Sequence, residues 1–550
     1  MSVRIFVTSS NDSGPGTLRK AIEQSNLLPK SLIILKPSVG HKINLQSELL
    51  VSSNVKIINN TQSDLTITSS ERIFHVTAPS QLFELWSPCQ RIILREGSAE
   101  NGGAIYVETS DHHLKLDNTI LKDNRATTSG GAIYTLGKLS MKFSLVAENV
   151  AGFQGGGLWV GRGLSLEKTG ILKNAIIRDG AGAGVFVDDG NVMLKLTSIS
   201  HNLAPKGSGG GIVIMVGSFV MEHSHVDHNK AYNAGGIQEG QGNIYMINST
   251  ANHNRSFNDN RGSAGGGGIT ISLGSVYLTE SEISENKTVG MFSGGIVSLV
   301  GDVFVFNSKV SGNTNRGPGG GIAMNFGNVL IEGSTITGNT GASLGGGLVN
   351  FAPAPGYIQI FNSEIKNNVL TNAETINQTI ESFLEVLIDY LGSVEKQSSG
   401  SGGQKFSNSI PEIIAKLKVV AELLEKLGIG PRIGGGGIAT LLSTKVTVQQ
   451  SKILENFAGA VVSDDNTPFE ALGGGLFTPN ATTFIQESKI LKNRALSRGG
   501  GIHNTGNLTL IKSQVIENQA KHAGGVYSND KFLSLETLIK NNTPDNVVIG

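Results

Sequence analysis

An adjacent pair of aspartates is the arrangement in this sequence best suited to acid–base or cation chemistry. Asp188 and Asp189 follow a short apolar run, and Arg162 stands at the matching place one repeat earlier. Enzymes that cleave polysaccharides on stacked strands need carboxylates on neighbouring coils, in acid–base or Ca²⁺-binding roles, and a basic residue. The next repeat has Met215 and Val216 there, so no second acidic coil completes the set. Catalysis by Asp188, Asp189 and Arg162, with Ca²⁺ as cofactor, is therefore the alternative hypothesis.

Histidines recur at one turn position. His201, His228 and His253 each precede an asparagine in three successive repeats. Stacked imidazoles could bind a divalent transition metal. The same position holds Asp123 and Lys173 in other repeats, which is typical of an ordinary solvated corner. A solvated corner is therefore the main prediction, a metal site is the alternative, and no cofactor is required.

Aromatic residues follow the central aliphatic residue of one strand in four successive repeats. Strand positions alternate between the two faces, so these side chains should point outward, about 4.8 Å apart. Planar aromatics in an exposed row suit sugar rings or the apolar surface of another protein. We predict ligand binding here, unless a loop or the N-terminal cap covers the strip or the rings only favour strand pairing. The residues are Tyr106, Tyr134, Trp159 and Phe186.

One charged residue falls on a face that the pattern assigns to the interior. Glu239 takes the place that Ile214 and Ile271 hold in neighbouring repeats. Burying an unpaired carboxylate is unfavourable. We therefore expect the strand to end early and to turn Glu239 outward.

A six-residue unit, Ser/Thr-x-apolar-x-x-Asn, recurs about fourteen times and sets the places of all these residues. Asparagine tolerates the left-handed backbone of a turn, and its amide can hydrogen-bond to the coils above and below. Ser or Thr stands five residues before the asparagine in every copy except the last, which has Glu536. The structural asparagines are Asn124, Asn149, Asn174, Asn202, Asn229, Asn254, Asn286, Asn313, Asn339, Asn368, Asn456, Asn493, Asn518 and Asn541.

Glycine corners followed by Ile, Val or Leu separate the asparagine units, as at 102–105, 130–133 and 499–502. Successive asparagines are mostly 23 to 32 residues apart, which fits three short strands and three turns in each coil. Stacked coils bury one continuous aliphatic column that no single coil could bury alone. The sequence predicts an all-β, right-handed, single-stranded parallel β-helix of about fourteen clear coils. A leucine-rich repeat would need several leucines at fixed spacing, and these are absent.

The positions of the repeats divide the chain into four segments. Residues 1–100 form an N-terminal cap and irregular first coils, 101–370 and 433–550 form the β-helix, and 371–432 interrupt it. The interruption carries apolar residues at helical spacing on both sides of a Gly/Ser linker, so it predicts an α-helical hairpin. The hairpin either packs on the β-helix or serves as a docking arm for a partner.

The N-terminal segment contains its own helix signal. Thr17 follows a Gly-Pro-Gly turn and precedes Leu18, Ala21 and Ile22, which share one helical face. A parallel β-helix has open strand edges that must be covered, so residues 12–26 are expected to be the cap. Early strands are predicted at 32–35, 42–45, 55–58, 65–68 and 73–76.

Composition excludes some classes of partner. The 44 Lys and Arg residues balance 44 Asp and Glu residues, so nothing favours nucleic acid or an anionic membrane. Cys89 is the single cysteine, so no intrachain disulfide can form. No run reaches the 18 apolar residues of a membrane helix, and the first residues lack the apolar run of a standard signal sequence.

The Gly-Gly-Ala-Ile segments at 102–105 and 130–133, paired with apolar-x-x-Asn, resemble the repeats of chlamydial polymorphic outer-membrane proteins. The segment from Phe6 to Arg19 is similar to the start of many bacterial, pectin-lyase-like β-helix surface proteins. The resemblance implies surface display and adhesion. That family has Phe-x-x-Asn where this chain has Ile, Val, Leu or Ala, and we expect neither its signal sequence nor its outer-membrane barrel here.

These patterns favour a non-catalytic, adhesin-like scaffold that presents an extended face to a glycan or protein partner. The alternative is a carbohydrate-active enzyme, either a polysaccharide lyase or a glycoside hydrolase. The localisation is not fixed by the sequence beyond what the resemblance implies.

Overall fold

The computed structural model describes residues 3–28, 30–77, 82–257, 265–290, 293–342, 344–351, 356–371, 433–440, 445–459 and 470–550, together with positions 411 and 415. The chain forms two compact units, which are described separately. In the described part of the chain, unit 1 comprises residues 3–232 and 236–238, and unit 2 comprises residues 233–235 and 239–550. Apart from positions 371, 411 and 415, the predicted helical hairpin at 371–432 lies outside the described residues, as does the loop with Asp464 and Asp465.

Each unit is a parallel β-solenoid, which confirms the predicted fold class. One sheet, most of whose strands begin directly after the glycine corners, is called the glycine sheet. In unit 1 its strands are Leu49–Val51, Phe74–Val76, Ile105–Val107, Ile133–Thr135, Leu158–Val160, Val185–Asp189 and Ile212–Val216. In unit 2 they are Ile269–Leu273, Ile296–Val300, Ile322–Phe326, Leu348–Asn350, Ile438–Thr440, Leu476–Thr478, Ile502–Asn504, Val526–Ser528 and Val547–Ile549. The strand Ile237–Gln241 contains the division between the units.

The chain passes next into the middle sheet. In unit 1 its strands are Arg4–Val7, Ser31–Leu35, Val55–Asn59, Leu82–Trp86, His113–Asp117, Lys138–Lys142, Leu164–Glu167, Val192–Lys195 and Phe219–Glu222. In unit 2 they are Ile244–Ile247, Val276–Thr279, Val303–Phe306, Val329–Glu332, Tyr357–Phe361, Lys445–Gln449, Thr482–Gln486, Leu508–Ile511 and Phe532–Leu535.

The third strand of each coil carries the Ser/Thr-x-apolar unit and belongs to the asparagine sheet. In unit 1 its strands are Lys42–Leu45, Leu65–Ser69, Ile92–Arg95, Thr119–Lys122, Leu145–Ala147, Gly170–Leu172, Ser198–Ser200 and His225–Asp227. In unit 2 they are Glu282–Ser284, Lys309–Ser311, Thr335–Thr337, Glu364–Lys366, Lys452–Leu454, Lys489–Leu491, Gln514–Ile516 and Leu538–Lys540.

A fourth, short sheet follows the turn asparagine and leads to the next glycine corner. In unit 1 its strands are Ser98–Asn101, Arg125–Ser129, Val150–Ala151, Ala175–Ile176, Leu203–Ser208 and Lys230–Asn233, the last of which ends one residue inside unit 2. In unit 2 they are Arg255–Ser256, Lys287–Thr288, Thr340–Gly341, Val369–Leu370, Phe457–Ala458 and Arg494–Ala495, and Ile433–Gly434 pairs with Ala471–Leu472.

Turn asparagines form a continuous ladder within each unit. In unit 1, the backbone N–H and the Nδ2 of Asn124 both donate to Oδ1 of Asn149, at 2.9 Å each. Asn149 donates in the same way to Asn174, and the pattern continues through Asn202 to Asn229. In unit 2 it runs from Asn254 to the last coil. These side-chain amides are buried and hydrogen-bonded within the ladder, so they stabilise the fold and are not available to a ligand.

The last copy of the repeat is displaced by one residue from the predicted alignment. Asn518 donates to Asn542, whereas Asn541 stands in the turn position before it with φ 56°. The preceding Ser/Thr place is therefore held by Thr537, which accepts a hydrogen bond from the backbone of Ser513 at 3.2 Å. The prediction that Asn541 is the last ladder residue was wrong, and the exception at Glu536 disappears with it.

A helix covers the N-terminal end of unit 1, as predicted. It spans Leu18–Asn26, and the Thr17 hydroxyl accepts a hydrogen bond from the backbone N–H of Lys20. Leu18, Ala21, Ile22 and Ser25 are its buried residues, because they share the face that packs on the first strands. A single 3₁₀ turn follows at Pro37–Val39. In the described segments, no helix is long and apolar enough to cross a membrane.

Candidate functional site

The predicted aromatic positions stack in register on the outer side of the glycine sheet in unit 1. Tyr106 pairs with Tyr134, Tyr134 with Trp159, and Trp159 with Phe186. Ring centroids are 5.5 Å apart for the two tyrosines, 4.1 Å for Tyr134 and Trp159, and 6.2 Å for Trp159 and Phe186. The Tyr134 and Trp159 rings are parallel within 6°. This run of rings is called the aromatic ladder.

Only part of the aromatic ladder reaches solvent. Tyr106 and Tyr134 are half-buried, but Trp159 is 5% exposed and Phe186 is fully buried, so the expectation of an exposed strip was wrong for these two. The indole N–H of Trp159 donates to the side chain of Gln154, which lies in the segment entering the glycine corner. Strand alternation shows which side chains point outward, but it does not show which of them a neighbouring segment covers.

Unit 2 shows the same covering of the outer face. Leu344 and Leu472, which precede glycine corners, pack with Val349 and Phe477 in one buried cluster. The segment before each corner thus lies against outward side chains of the glycine sheet. The outer face is therefore accessible mainly where this segment is absent or small.

The exposed end of the aromatic ladder extends two coils further than the sequence predicted. Leu50, His75 and Tyr106 occupy successive register positions, and Leu50 is 50% exposed. The His75 ring lies 5.1 Å from that of Tyr106. Glycine corners do not precede these early strands, so the pattern that located Tyr106 missed them. Comparing Phe74-His75-Val76 with Ile105-Tyr106-Val107 would have revealed the match.

Charged side chains surround this end of the ladder. His75 lies between two carboxylates, with Nδ1 3.3 Å from Glu48 and Nε2 2.9 Å from Glu108. Arg72 donates to Glu48 at 2.7 Å, and its guanidinium lies 4.9 Å from the Tyr106 ring centroid. We call Leu50, His75, Tyr106, Tyr134 and these charged residues the exposed face.

Burial raises the pKa values of both tyrosine hydroxyls above the ordinary tyrosine value. It raises the pKa of Tyr134 to about 12, with smaller contributions from Tyr106 and Asp188. Burial also raises the pKa of Tyr106, where Glu108 and Glu100 add to the effect and Arg72 opposes it. Both phenols are therefore neutral hydrogen-bond donors or acceptors at physiological pH.

The predicted catalytic residues come together, but the two aspartates are poorly accessible while Arg162 is exposed. The Arg162 guanidinium lies 3.6 Å from the Asp189 carboxylate. Asp188 is 2% exposed and Asp189 is 7% exposed. A polysaccharide substrate would need direct contact with these carboxylates, and the next coil provides Val216 beside Asp189.

The predicted metal ligands are exposed turn residues. His201 and His228 stack in unit 1 with centroids 5.1 Å apart and rings parallel within 1°. His253, in unit 2, is also exposed. All three have φ between 54° and 59°, as do Asp123 and Glu148 at the same position. In the described residues, no group of three or more histidine, cysteine or carboxylate side chains could hold a metal ion.

Glu239 is buried, so the expectation that it turns outward was wrong. It lies inside the strand Ile237–Gln241 and is 0% exposed. Neither carboxylate oxygen makes a well-oriented hydrogen bond, although the nearby Gln241 backbone slightly favours the charged form. Burial is the larger effect and raises the pKa of Glu239 well above its usual value. The strand continues because its backbone pairing fixes the alternation of side chains.

A second set of stacked rings was not predicted. Tyr245, Tyr277 and Phe304 are half-buried on the outer side of the middle sheet in unit 2, with successive centroids 4.8 and 4.7 Å apart. A single glycine, at 242, 274 or 301, stands two residues before each of these strands in place of the Gly-Gly unit, so the pattern did not lead to them. They provide a chemically matched comparison for the tyrosines of unit 1.

No protein-family model matches the chain, and no curated protein sequence matches it either.

Proposed function

We propose that this chain is a non-catalytic binding scaffold that holds a polypeptide partner on the exposed face of unit 1. The observation that carries the proposal is the alignment of Leu50, His75, Tyr106 and Tyr134 on four successive coils, where solvent still reaches them. Tyrosine and arginine are enriched at the centres of protein interfaces. The resemblance to polymorphic outer-membrane proteins favours an adhesin-like role at a cell surface.

The ring geometry favours a polypeptide over a glycan. A sugar packs on the flat face of an aromatic ring. In the aromatic ladder, Tyr134 stacks face to face on Trp159, and Tyr106 lies between Arg72 and Tyr134. Neighbouring side chains thus cover the ring faces, and mainly the ring edges and hydroxyl groups remain for contact with a ligand. Edges and hydroxyls suit the mixed polar and apolar surface of an extended peptide.

The low exposure of Asp188 and Asp189 argues against the carbohydrate-active alternative. A lyase or glycosidase of the pectin-lyase-like class would need these carboxylates in contact with substrate. The proposal is therefore a binding role without bond cleavage.

Selection from a random peptide library on the immobilised full chain tests the proposal. Counter-selection uses the double variant Tyr106→Ser, Tyr134→Ser, and the matched control is Tyr277→Ser in unit 2. We expect peptides that bind the wild type and the control but not the double variant. A glycan array run in parallel separates the two ligand classes. Glycans that bind through Tyr106 would replace the polypeptide partner, and the absence of any Tyr106-dependent ligand would reject the exposed face as a binding site.

A further inference from the structure

The charges of the exposed face are unequally accessible. Glu48 and Glu108 have side chains 37% and 40% exposed, whereas the Arg72 side chain is 14% exposed. Glu100 is also exposed, and it directly precedes Asn101, whose backbone carbonyl accepts hydrogen bonds from Arg72. Solvent therefore reaches three carboxylates near Tyr106, of which Glu48 pairs with Arg72 and His75 and Glu108 pairs with His75. It reaches little of the Arg72 guanidinium.

Arg72 is committed to contacts within unit 1. Its Nη1 donates to Glu48 at 2.7 Å, while Nε and Nη2 donate to the backbone carbonyl of Asn101 at 3.3 and 3.2 Å. The guanidinium also lies over the Tyr106 ring. These contacts hold the cation on the protein side of the face, so it cannot turn outward to neutralise a partner's carboxylate without losing them.

We infer that the partner presents lysine or arginine side chains to Glu48, Glu100 and Glu108 beside Tyr106, an inference that rests on the proposed function. A cationic side chain can pair with these carboxylates while its aliphatic stem packs on Leu50 and on the edges of the tyrosines. An acidic segment would meet like charges at the same place, which costs binding free energy. Burial is the main cause of the raised pKa of the Tyr106 hydroxyl, while Glu108 and Glu100 raise it further and Arg72 opposes them.

The composition of the selected peptides tests the inference. Peptides that depend on Tyr106 should be enriched in lysine and arginine relative to aspartate and glutamate. A fluorescent copy of the most enriched peptide is then titrated against the full chain. The double variant Glu100→Gln, Glu108→Gln should bind it about tenfold more weakly, and affinity should fall as ionic strength rises. The control Glu285→Gln, Glu455→Gln removes two exposed carboxylates from unit 2 and should bind as the wild type does.

Two results would overturn the inference, and they are distinguishable. Tyr106-dependent peptides without a basic bias, unaffected by Glu100→Gln and Glu108→Gln, would reject the cationic partner and leave the binding face intact. A selection with no Tyr106-dependent peptide would reject both the cationic partner and the binding face. Equal weakening in the unit 2 control would show a general charge effect and would also reject the inference.

Discussion

At the scale of single residues, the buried acid Glu239 opposes folding above weakly acidic pH. Glu239 has a raised pKa because it is desolvated, so the folded state holds its proton at pH values where the unfolded state has lost it. Folding then takes up a proton, and stability falls as pH rises above the ordinary glutamate pKa. The variant Glu239→Gln should lose this dependence and melt at higher temperature than the wild type at pH 7.5. Melting curves at pH 4.5 to 7.5 check this, and a parallel pH dependence in both proteins would contradict it.

Asparagine side chains of the ladder should carry more stability than their neighbours of the same type. Asn368 is buried and donates through Nδ2 to the carbonyl of Ile336 and to Asn456, whereas Asn367 is an exposed turn residue with φ 52°. Replacing Asn368 with Ala leaves buried partners unsatisfied and should cost about 2–4 kcal/mol of unfolding free energy. The control Asn367→Gly suits the left-handed turn and should stay within about 0.5 kcal/mol of the wild type. Denaturant unfolding compares them, and equal losses would contradict the ladder.

At the scale of secondary-structure elements, close contact between coils explains the glycine corners. A Cβ at Gly131 would overlap the carbonyl oxygen of Gly156 in the next coil. Gly338 has a positive φ of 64°, but there a Cβ would meet only one atom, at 3.9 Å. Gly131→Ala should therefore destabilise the protein by about 3 kcal/mol or more, as expected for overpacking, while Gly338→Asn should be nearly neutral. Thermal unfolding of the two variants checks this, and similar melting temperatures would refute the role assigned to the corner.

The buried part and the solvent-exposed part of the aromatic ladder should differ in role. Trp159 is buried, hydrogen-bonded to Gln154 and stacked on two rings, so Trp159→Ala should cost about 3–5 kcal/mol of stability. Tyr106 is half-buried at the solvent end, and Tyr106→Ser should lower stability by a clearly smaller amount. Circular dichroism melts compare the two, and an equal loss would mean that the ladder is structural along its whole length.

At the scale of the whole molecule, the sequence predicted the solenoid because repetition amplifies weak local signals. Residue spacing alone predicted the asparagine ladder, the glycine corners, the N-terminal helix and most early strands. It did not predict the alignment of the last coil, because two asparagines are adjacent there and the ladder uses Asn542 instead of Asn541. The covering of Trp159 and Phe186 and the charged end of the ladder at His75 also escaped prediction. They depend on how segments pack across coils, and the repeat pattern does not record that packing.

The central functional claim is that the exposed face of unit 1, and Tyr106 in particular, binds a polypeptide. Calorimetric titration of a selected peptide into the wild type, Tyr106→Ser and Tyr277→Ser tests it most directly. We predict about tenfold weaker binding for Tyr106→Ser, as expected for loss of an interface hot spot, and unchanged binding for Tyr277→Ser. Unchanged affinity in Tyr106→Ser, or equal weakening in both variants, would contradict the account.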